Sequence, residues 1–319
     1  MKKRWKFLIF LAFVAIVTTI SLVYFLLSND APIVVGDVDR NIEYKTGLRL
    51  DIYQPTRDVY DKAPVIVYIH GGAWIGGFKE SINFNRFNQA AFTLRESGYA
   101  IVSVNYTLAH PDKSPFPDCI KDALDAVAWL NQHAQQYNFD IENIGLLGES
   151  AGAHIAMMAA YSQDSLRFNY VVDIYGPTQL AGVLHTPMLD TLNTFVGKFS
   201  EGYQSRLSPE KYIFGLDPKR DSAVVLQIAE RYSPYNYLSA SVPPTLIIHG
   251  DLDRVVPVSQ STRLQRKLDS LGVINDIHIV QGADHNFIKA SAAQKAELQK
   301  RIVSFISSHY NRNKVLSQR

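Results

Sequence analysis

The sequence predicts a doubly wound α/β fold built on one mostly parallel sheet. Three observations lead there. Six short apolar runs are too dense in Val, Ile and Leu for a sheet with one wetted face. Segments of helical periodicity separate them, and strand and helix alternate to the end of the chain. With 319 residues, 47% hydrophobic and 19% charged, the chain has the material for one large α/β core or two smaller ones.

In chain order, Lys2, Lys3, Arg4 and Lys6 precede an uncharged and almost wholly apolar run from Phe7 to Leu27. That run is about the ~20 residues needed to cross a bilayer core. The basic cluster places the N-terminus in the cytoplasm and the body outside, so the expected location is the cell membrane with a single pass. A cleaved signal peptide, giving a secreted protein, is the alternative. Against it, the run ends in Tyr24-Phe25-Leu26-Leu27-Ser28, bulky where a cleavage site requires small residues, and no cysteine follows to carry a lipid. Residues 1–30 therefore read as an anchor or signal segment and 31–319 as the folded domain.

Residues 34–54 alternate well enough for two antiparallel strands that turn near Lys45-Thr46-Gly47. The dense runs follow as predicted parallel strands: Val65 to Ile69, Tyr99 to Val104, Ile144 to Leu147, Val171 to Ile174, Thr245 to Ile248 and Ile277 to Val280. Between them lie predicted helices over Asn83 to Ser97, Asp118 to Tyr137, Gly152 to Tyr161, Val258 to Leu271 and Ala292 to Tyr310. The second is the clearest, with Ile120, Leu124, Val127, Ala128 and Leu130 on one stripe. One interval breaks the rhythm. From Gly176-Pro177 to Ser233-Pro234 there is no β signal, and a structureless loop of that length is improbable in a compact domain, so a helical insertion over the strand ends, at about 178–232, is expected.

Charge narrows the function. The formal net charge is +2, but the N-terminal basic cluster against Asp30 alone supplies a surplus of three, which leaves the body at −1. No basic surface argues for nucleic acid. Cys119 is the single cysteine, so neither an intramolecular disulfide nor a cysteine metal site can form, and no motif calls for a metal or another cofactor. The oligomeric state stays open.

The chemistry is concentrated in Gly148-Glu149-Ser150-Ala151-Gly152, between the apolar run ending at Leu147 and a helix-prone stretch. G-x-S-x-G at a strand-to-helix junction makes a turn so tight that the serine backbone is strained and neighbouring side chains must vanish. The helix that follows points its positive end at whatever bonds to the serine. Serine needs a base to take its proton, and that base needs an orienting carboxylate. After the run Thr245 to Ile248 comes His249-Gly250-Asp251-Leu252-Asp253-Arg254-Val255-Val256-Pro257, and after the next strand Gly282-Ala283-Asp284-His285-Asn286-Phe287. Both loops leave strand ends on the edge that carries Ser150. Acyl transfer also needs two backbone N–H groups aimed at an oxyanion, and the residue after the nucleophile, Ala151, supplies one. His70-Gly71-Gly72-Ala73-Trp74 follows the strand Val65 to Ile69, and its small residues make Gly72 and Ala73 the other donors.

These motifs make the chain resemble the α/β-hydrolase superfamily, and within it the esterase/lipase group typified by hormone-sensitive-lipase-like and feruloyl-esterase-like enzymes. The resemblance covers about 40 to 310 and is carried by HGGAW at 70–74, VSVNYTLAH at 102–110, FPDCIKDALDAVAWL at 116–130, GESAG at 148–152, HGDLDRVVP at 249–257 and GADHNF at 282–287. It implies an α/β-hydrolase fold with a helical cap. It also implies Ser150 as nucleophile, His285 as general base, Asp253 as its orienter, and oxyanion donation from Gly72, Ala73 and Ala151. Asp251 is the competing carboxylate, and the spacing of the family's aspartate before Val-Pro favours Asp253. Trp74, next to the oxyanion loop, is a substrate-contact candidate or a core aromatic. Two departures stand out: Ala73 replaces the third glycine of HGGG, and Tyr106-Thr107-Leu108-Ala109-His110 lacks the arginine and glutamate of YRLAPE.

The expected activity is hydrolysis of small-to-medium carboxylic esters through an acyl-enzyme. The alternatives are an amide-cleaving relative, such as a peptidase or formamidase, and a non-catalytic cell-surface module, which would typically lack a triad member.

Overall fold

In the computed structural model, the described residues are 15, 16, 18, 19, 36–163, 165–196, 198 and 208–310. The expected anchor Phe7 to Leu27 lies outside them apart from four residues. No helix among the described residues is long and apolar enough to cross a membrane.

The sheet has eight strands: β1 (Val38–Lys45), β2 (Leu48–Tyr53), β3 (Ala63–Ile69), β4 (Ala100–Val104), β5 (Phe139–Glu149), β6 (Val171–Ile174), β7 (Thr245–Gly250) and β8 (Asn275–Val280). Their spatial order is β1-β2-β4-β3-β5-β6-β7-β8. β1 and β2 form the antiparallel hairpin read from residues 34–54, and β2 joins β4 antiparallel. From β4 to β8 every pairing is parallel, so the loops leaving β3, β5, β7 and β8 emerge on one edge.

Strand alternation divides the side chains between two cores. Val65, Val67, Ile69, Leu146, Val171 and Ile247 face the helices α2 (Asp118–Gln132), α4 (Ala151–Tyr161) and α8 (Ser259–Ser270). Ile66, Tyr68, Ile101, Val172, Leu246 and Ile248 face α1 (Asn88–Glu96) and α9 (Ala292–Ser308). Each fully buried Val, Leu or Ile stabilises the fold by roughly 1.5–3 kcal/mol relative to its exposed form. Both faces of the sheet are therefore held by helices, which is why β3, β4, β6 and β7 are buried throughout and lack polar alternation.

Two of the boundaries that differ from the sequence reading flank Asn138. The helix expected over Asp118 to Tyr137 is broken at His133, and α3 (Ala134–Tyr137) continues to a left-handed Asn138. β5 starts at Phe139, with a register irregularity before Val65, so the polar stretch Asp140 to Asn143 belongs to a strand.

Between β6 and β7 the described residues hold helices and no strand: a 3-10 turn at Leu180–His185, then α5 (Pro187–Val196), α6 (Pro209–Phe214) and α7 (Ser222–Arg231). The Met188 amide donates to the Arg254 carbonyl at 3.1 Å, which sets the start of α5 against the loop after β7. His154 in α4 bonds the Tyr232 carbonyl at 2.6 Å, and the Ser114 hydroxyl bonds Ile213 at 2.9 Å. The insertion is thus tied down on the edge from which the loops emerge.

Candidate active site

Ser150 stands between β5 and α4 with φ 52° and ψ −120°, a positive-φ conformation that costs an L-residue on the order of 1–3 kcal/mol. What holds it there is close packing. A Cβ on Gly152 would lie 2.0 Å from the Ile69 carbonyl oxygen, and one on Gly148 would lie 2.3 Å from the Gly152 oxygen. Only glycine lets α4 start this near the end of β3. The Ser150 amide donates to Ile174 at 2.9 Å, and the Ser150 carbonyl accepts from the His154 amide at 3.1 Å.

The structure brings Ser150, His285 and Asp253 into one hydrogen-bonded chain. His285 Nε2 is 2.9 Å from Ser150 Oγ, and His285 Nδ1 is 2.6 Å from Asp253 Oδ2. The other carboxylate oxygen, Oδ1, accepts the amides of Val255 at 2.8 Å and Val256 at 2.9 Å. Burial alone would raise the pKa of Asp253. Hydrogen bonds from His249 and His285 outweigh it and hold this carboxyl well below the usual range. An ionised Asp253 can only accept, so His285 carries its hydrogen on Nδ1 and offers a bare Nε2 to the Ser150 hydroxyl.

Asp251 is directed elsewhere. Its Oδ1 accepts the Gly282 amide at 2.6 Å and fixes the β8 loop. Asp284 likewise bonds locally, accepting the Ile288 amide at 2.8 Å.

The His70–Trp74 loop lies directly against the elbow: a Cβ on Gly71 would be 3.3 Å from Ser150 Cβ. Ala73 and Trp74 both have positive φ, 53° and 59°. Among the described residues, the N–H groups of Gly72, Ala73 and Ala151 donate to no main-chain carbonyl. Ala151 opens α4, where first-turn amides have no helical acceptor. The loop is braced from behind by the segment after β4. The Tyr106 hydroxyl donates to the His70 carbonyl at 3.0 Å, the Ala109 amide donates to Trp74 at 2.8 Å, and the Tyr106 ring stacks on His70 at 4.4 Å. Burial lowers the His70 pKa to about 4, so His70 is neutral at physiological pH. Its Nδ1 donates to the Gly71 carbonyl at 2.7 Å.

The Trp74 ring turns inward. It is 2% exposed and packs edge-on against Phe116 and His154. A cavity of about 620 Å³ lies at the opposite edge of the sheet, lined among others by Ile141, Arg167 and His309, and touches none of these site residues.

Four residues around the chain of hydrogen bonds are not among the predicted site residues. Tyr175 packs its ring 4.6 Å from that of His285 and donates its hydroxyl to Glu149 Oε2 at 2.7 Å. Tyr68 donates to the other oxygen of Glu149. Burial raises the Glu149 pKa above the ordinary range, with the two tyrosines opposing. His249, in β7, contacts the same Asp253 oxygen as His285, at 3.0 Å. Its position at the head of HGDLD was the available signal.

Comparison with known proteins agrees with this architecture. "Probable carboxylic ester hydrolase LipM" of Mycobacterium tuberculosis is 30% identical over 241 residues, covering 71% of this chain and 49% of that protein. "Esterase LipQ" of the same organism is 26% identical over 287 residues, covering 85% and 62%. The chain thus spans about half to three-fifths of the length of these two relatives. Among solved structures, the Pyrobaculum calidifontis esterase superposes with a TM-score of 0.67 at 22% identity, covering 90% of this chain and 89% of that one. An arylesterase gives 0.67 at 19% identity with 91% of each chain covered. Both likenesses concern the fold, which is that of the α/β-hydrolases. The family model for BD-FAE matches residues 50–268, and the chain belongs to that family.

Proposed function

We propose that this protein is a serine hydrolase that cleaves small-to-medium carboxylic esters through an acyl-enzyme. The observation that carries the reading is the Ser150–His285–Asp253 chain of hydrogen bonds at a strained elbow. The names of the mycobacterial relatives support ester cleavage. Ser150 Oγ attacks the ester carbonyl carbon while His285 Nε2 takes its proton. The negative charge that develops on the carbonyl oxygen is met by the N–H groups of Ala151 and of Gly72 or Ala73, and by the positive end of α4. Collapse breaks the bond to the alcohol, which leaves with the proton from His285. Water, deprotonated by the same nitrogen, then attacks the acyl-serine, releasing the acid and restoring Ser150.

A fluorophosphonate probe should label Ser150 in the wild type. Ser150→Ala should abolish labelling and lower turnover by about 10⁴–10⁶-fold with the fold intact. Labelling of the alanine variant at another serine would overturn the assignment. Rates over p-nitrophenyl esters of increasing chain length, acetylated sugars, a feruloyl ester and a peptide anilide would place the substrate and separate ester from amide cleavage.

The run Phe7 to Leu27 is proposed to hold the enzyme at the outer face of the cell membrane. Its length and the preceding basic residues support this. Intact mass spectrometry of the native protein should find the run retained; a start near residue 30 would overturn it.

A further inference from the structure

We infer that His249 is a positioning residue for this reaction: it fixes the Asp253 carboxylate and shares with His285 the oxygen that His285 depends on. The inference rests on the proposed serine-hydrolase reading.

His249 is fully buried near the end of β7. Its Nε2 lies 2.8 Å from the Val256 carbonyl and 3.0 Å from Asp253 Oδ2, and its Nδ1 lies 2.7 Å from Ser261 Oγ in α8. A carbonyl can only accept, so Nε2 carries the hydrogen, which it divides between Val256 and Asp253. Nδ1 is then an acceptor for the Ser261 hydroxyl. Every polar atom of the ring is satisfied in the neutral form, and the tautomer is set by its partners rather than left free.

Asp253 is thereby held by four donors. Val255 and Val256 amides take Oδ1, while His285 and His249 both approach Oδ2. The two histidines have unequal tasks. His285 leaves its neutral state during catalysis, and its pull on Oδ2 grows when it becomes an imidazolium. His249 stays put, because both of its nitrogens are engaged by groups anchored in the β7 loop and α8. It closes the 253–256 turn on one side and prevents the carboxylate from rotating with the moving proton. By drawing on the same oxygen, it also limits how strongly Asp253 stabilises charged His285.

Other charged groups face this pair. Asp173 on β6 lies near His249, and Glu149 on β5 lies near His285. Asp284 adjoins His285 in the chain but is bonded to the Ile288 amide. None of them takes the position of the His249 N–H on Asp253.

The test compares His249→Leu, which removes the donor, with His249→Gln, whose amide N–H can reach the same oxygen. Ser261→Ala removes the hydroxyl that fixes the tautomer. In His249→Leu, kcat for a small p-nitrophenyl ester should fall by roughly 10–100-fold, the size of effect a misplaced catalytic group produces. KM should be unchanged. The acid limb of kcat/KM should move to higher pH, because Oδ2 then serves His285 alone. His249→Gln should restore most of the rate and the wild-type limb. Ser261→Ala should shift the limb in the same direction by less, and it keeps the test decisive should the leucine variant not fold. A merely structural His249 would lower the melting temperature and leave the acid limb in place. Folded variants with wild-type kcat and an unmoved limb, beside a wild type that labels at Ser150, overturn the positioning role alone. A wild type that neither labels nor turns over ester removes the underlying reading as well.

Discussion

Replacing Asp173 with asparagine should reverse the order of stability of variant and wild type between acid and mildly alkaline pH. Asp173 is fully buried in β6. Its Oδ1 accepts the Gly176 amide at 2.8 Å, and its Oδ2 has no hydrogen-bond partner among the described residues. Burial penalises the carboxylate and pushes its pKa up to about 7, against the opposing effects of the Gly176 amide and His249. An unfolded aspartate titrates near ~3.9. The folded value is the higher one, so between the two the native state keeps a proton that the unfolded chain has released. Stability therefore falls as pH rises through this window and levels off above about 7. The gap corresponds to ~4 kcal/mol, a large share of the ~5–15 kcal/mol typical of a domain. Asparagine keeps the acceptor for Gly176 and cannot ionise. Its amide nitrogen, placed where Oδ2 was, costs about 1–3 kcal/mol at every pH. The variant should thus be the less stable protein near about pH 4 and the more stable near about pH 8. Urea unfolding of both proteins across this range measures the difference, in which all other titrating groups cancel. A difference that stays constant with pH would refute the reasoning.

The two carboxylates of the β7 loop should separate cleanly. Asp253→Asn removes the acceptor that orients His285 and should lower kcat by about 10⁴-fold, whereas Asp251→Asn disturbs only the contact with Gly282 and should be much milder. A larger loss of rate in Asp251→Asn than in Asp253→Asn at equal stability, measured by initial rates and thermal melts, would exchange the assignment. In the elbow, Gly152→Ala should destabilise by more than the ~1–3 kcal/mol of ordinary overpacking, because its Cβ meets main-chain atoms of β3 at 2.0 Å, while Gly76→Ala, with open space around it, should be close to neutral. Comparable midpoints of chemical unfolding for the two variants would contradict this.

Most of the fold was legible because a parallel sheet sandwiched by helices leaves little room for polar residues in its strands. Val171 to Ile174 matches β6 end for end, and Thr245 to Ile248 falls short of β7 by two residues. Legibility fails where a strand runs past that shield. Asp140, Glu142 and Asn143 lie in the first half of β5, where the Asp140 carboxylate accepts the Glu142 main-chain amide and the Asn143 side-chain amide, so the segment looks like a loop. α1 begins at Asn88 rather than Asn83, because the Asn83 side chain is engaged with Tyr53 and Glu80 in the preceding 3-10 turn. In the site, the motifs pointed to Ser150, Asp253 and His285, since each sits in the turn or loop that leaves a strand, and the structure brings the three side chains together. Side-chain direction was not readable. Period-two alternation assigns His249 to a face of the sheet but does not name Asp253 as its partner, and the proximity of Trp74 to the elbow gave no sign that its ring turns into the core.

The hydrogen bond between His285 and Ser150 spans 135 positions in the chain, whereas that between His285 and Asp253 spans 32. Closing the longer one requires β6, the whole insertion, β7 and β8 to be in place first. During synthesis the serine emerges long before its base, so a nascent or truncated chain ending before β8 carries the elbow without the means to use it. Because contacts of such separation form only with the global topology, ester turnover per molecule, on the proposed function, gauges how many chains have finished folding. Far-ultraviolet circular dichroism, which counts local helices such as α2 and α9, would report structure in molecules that this gauge still scores as silent.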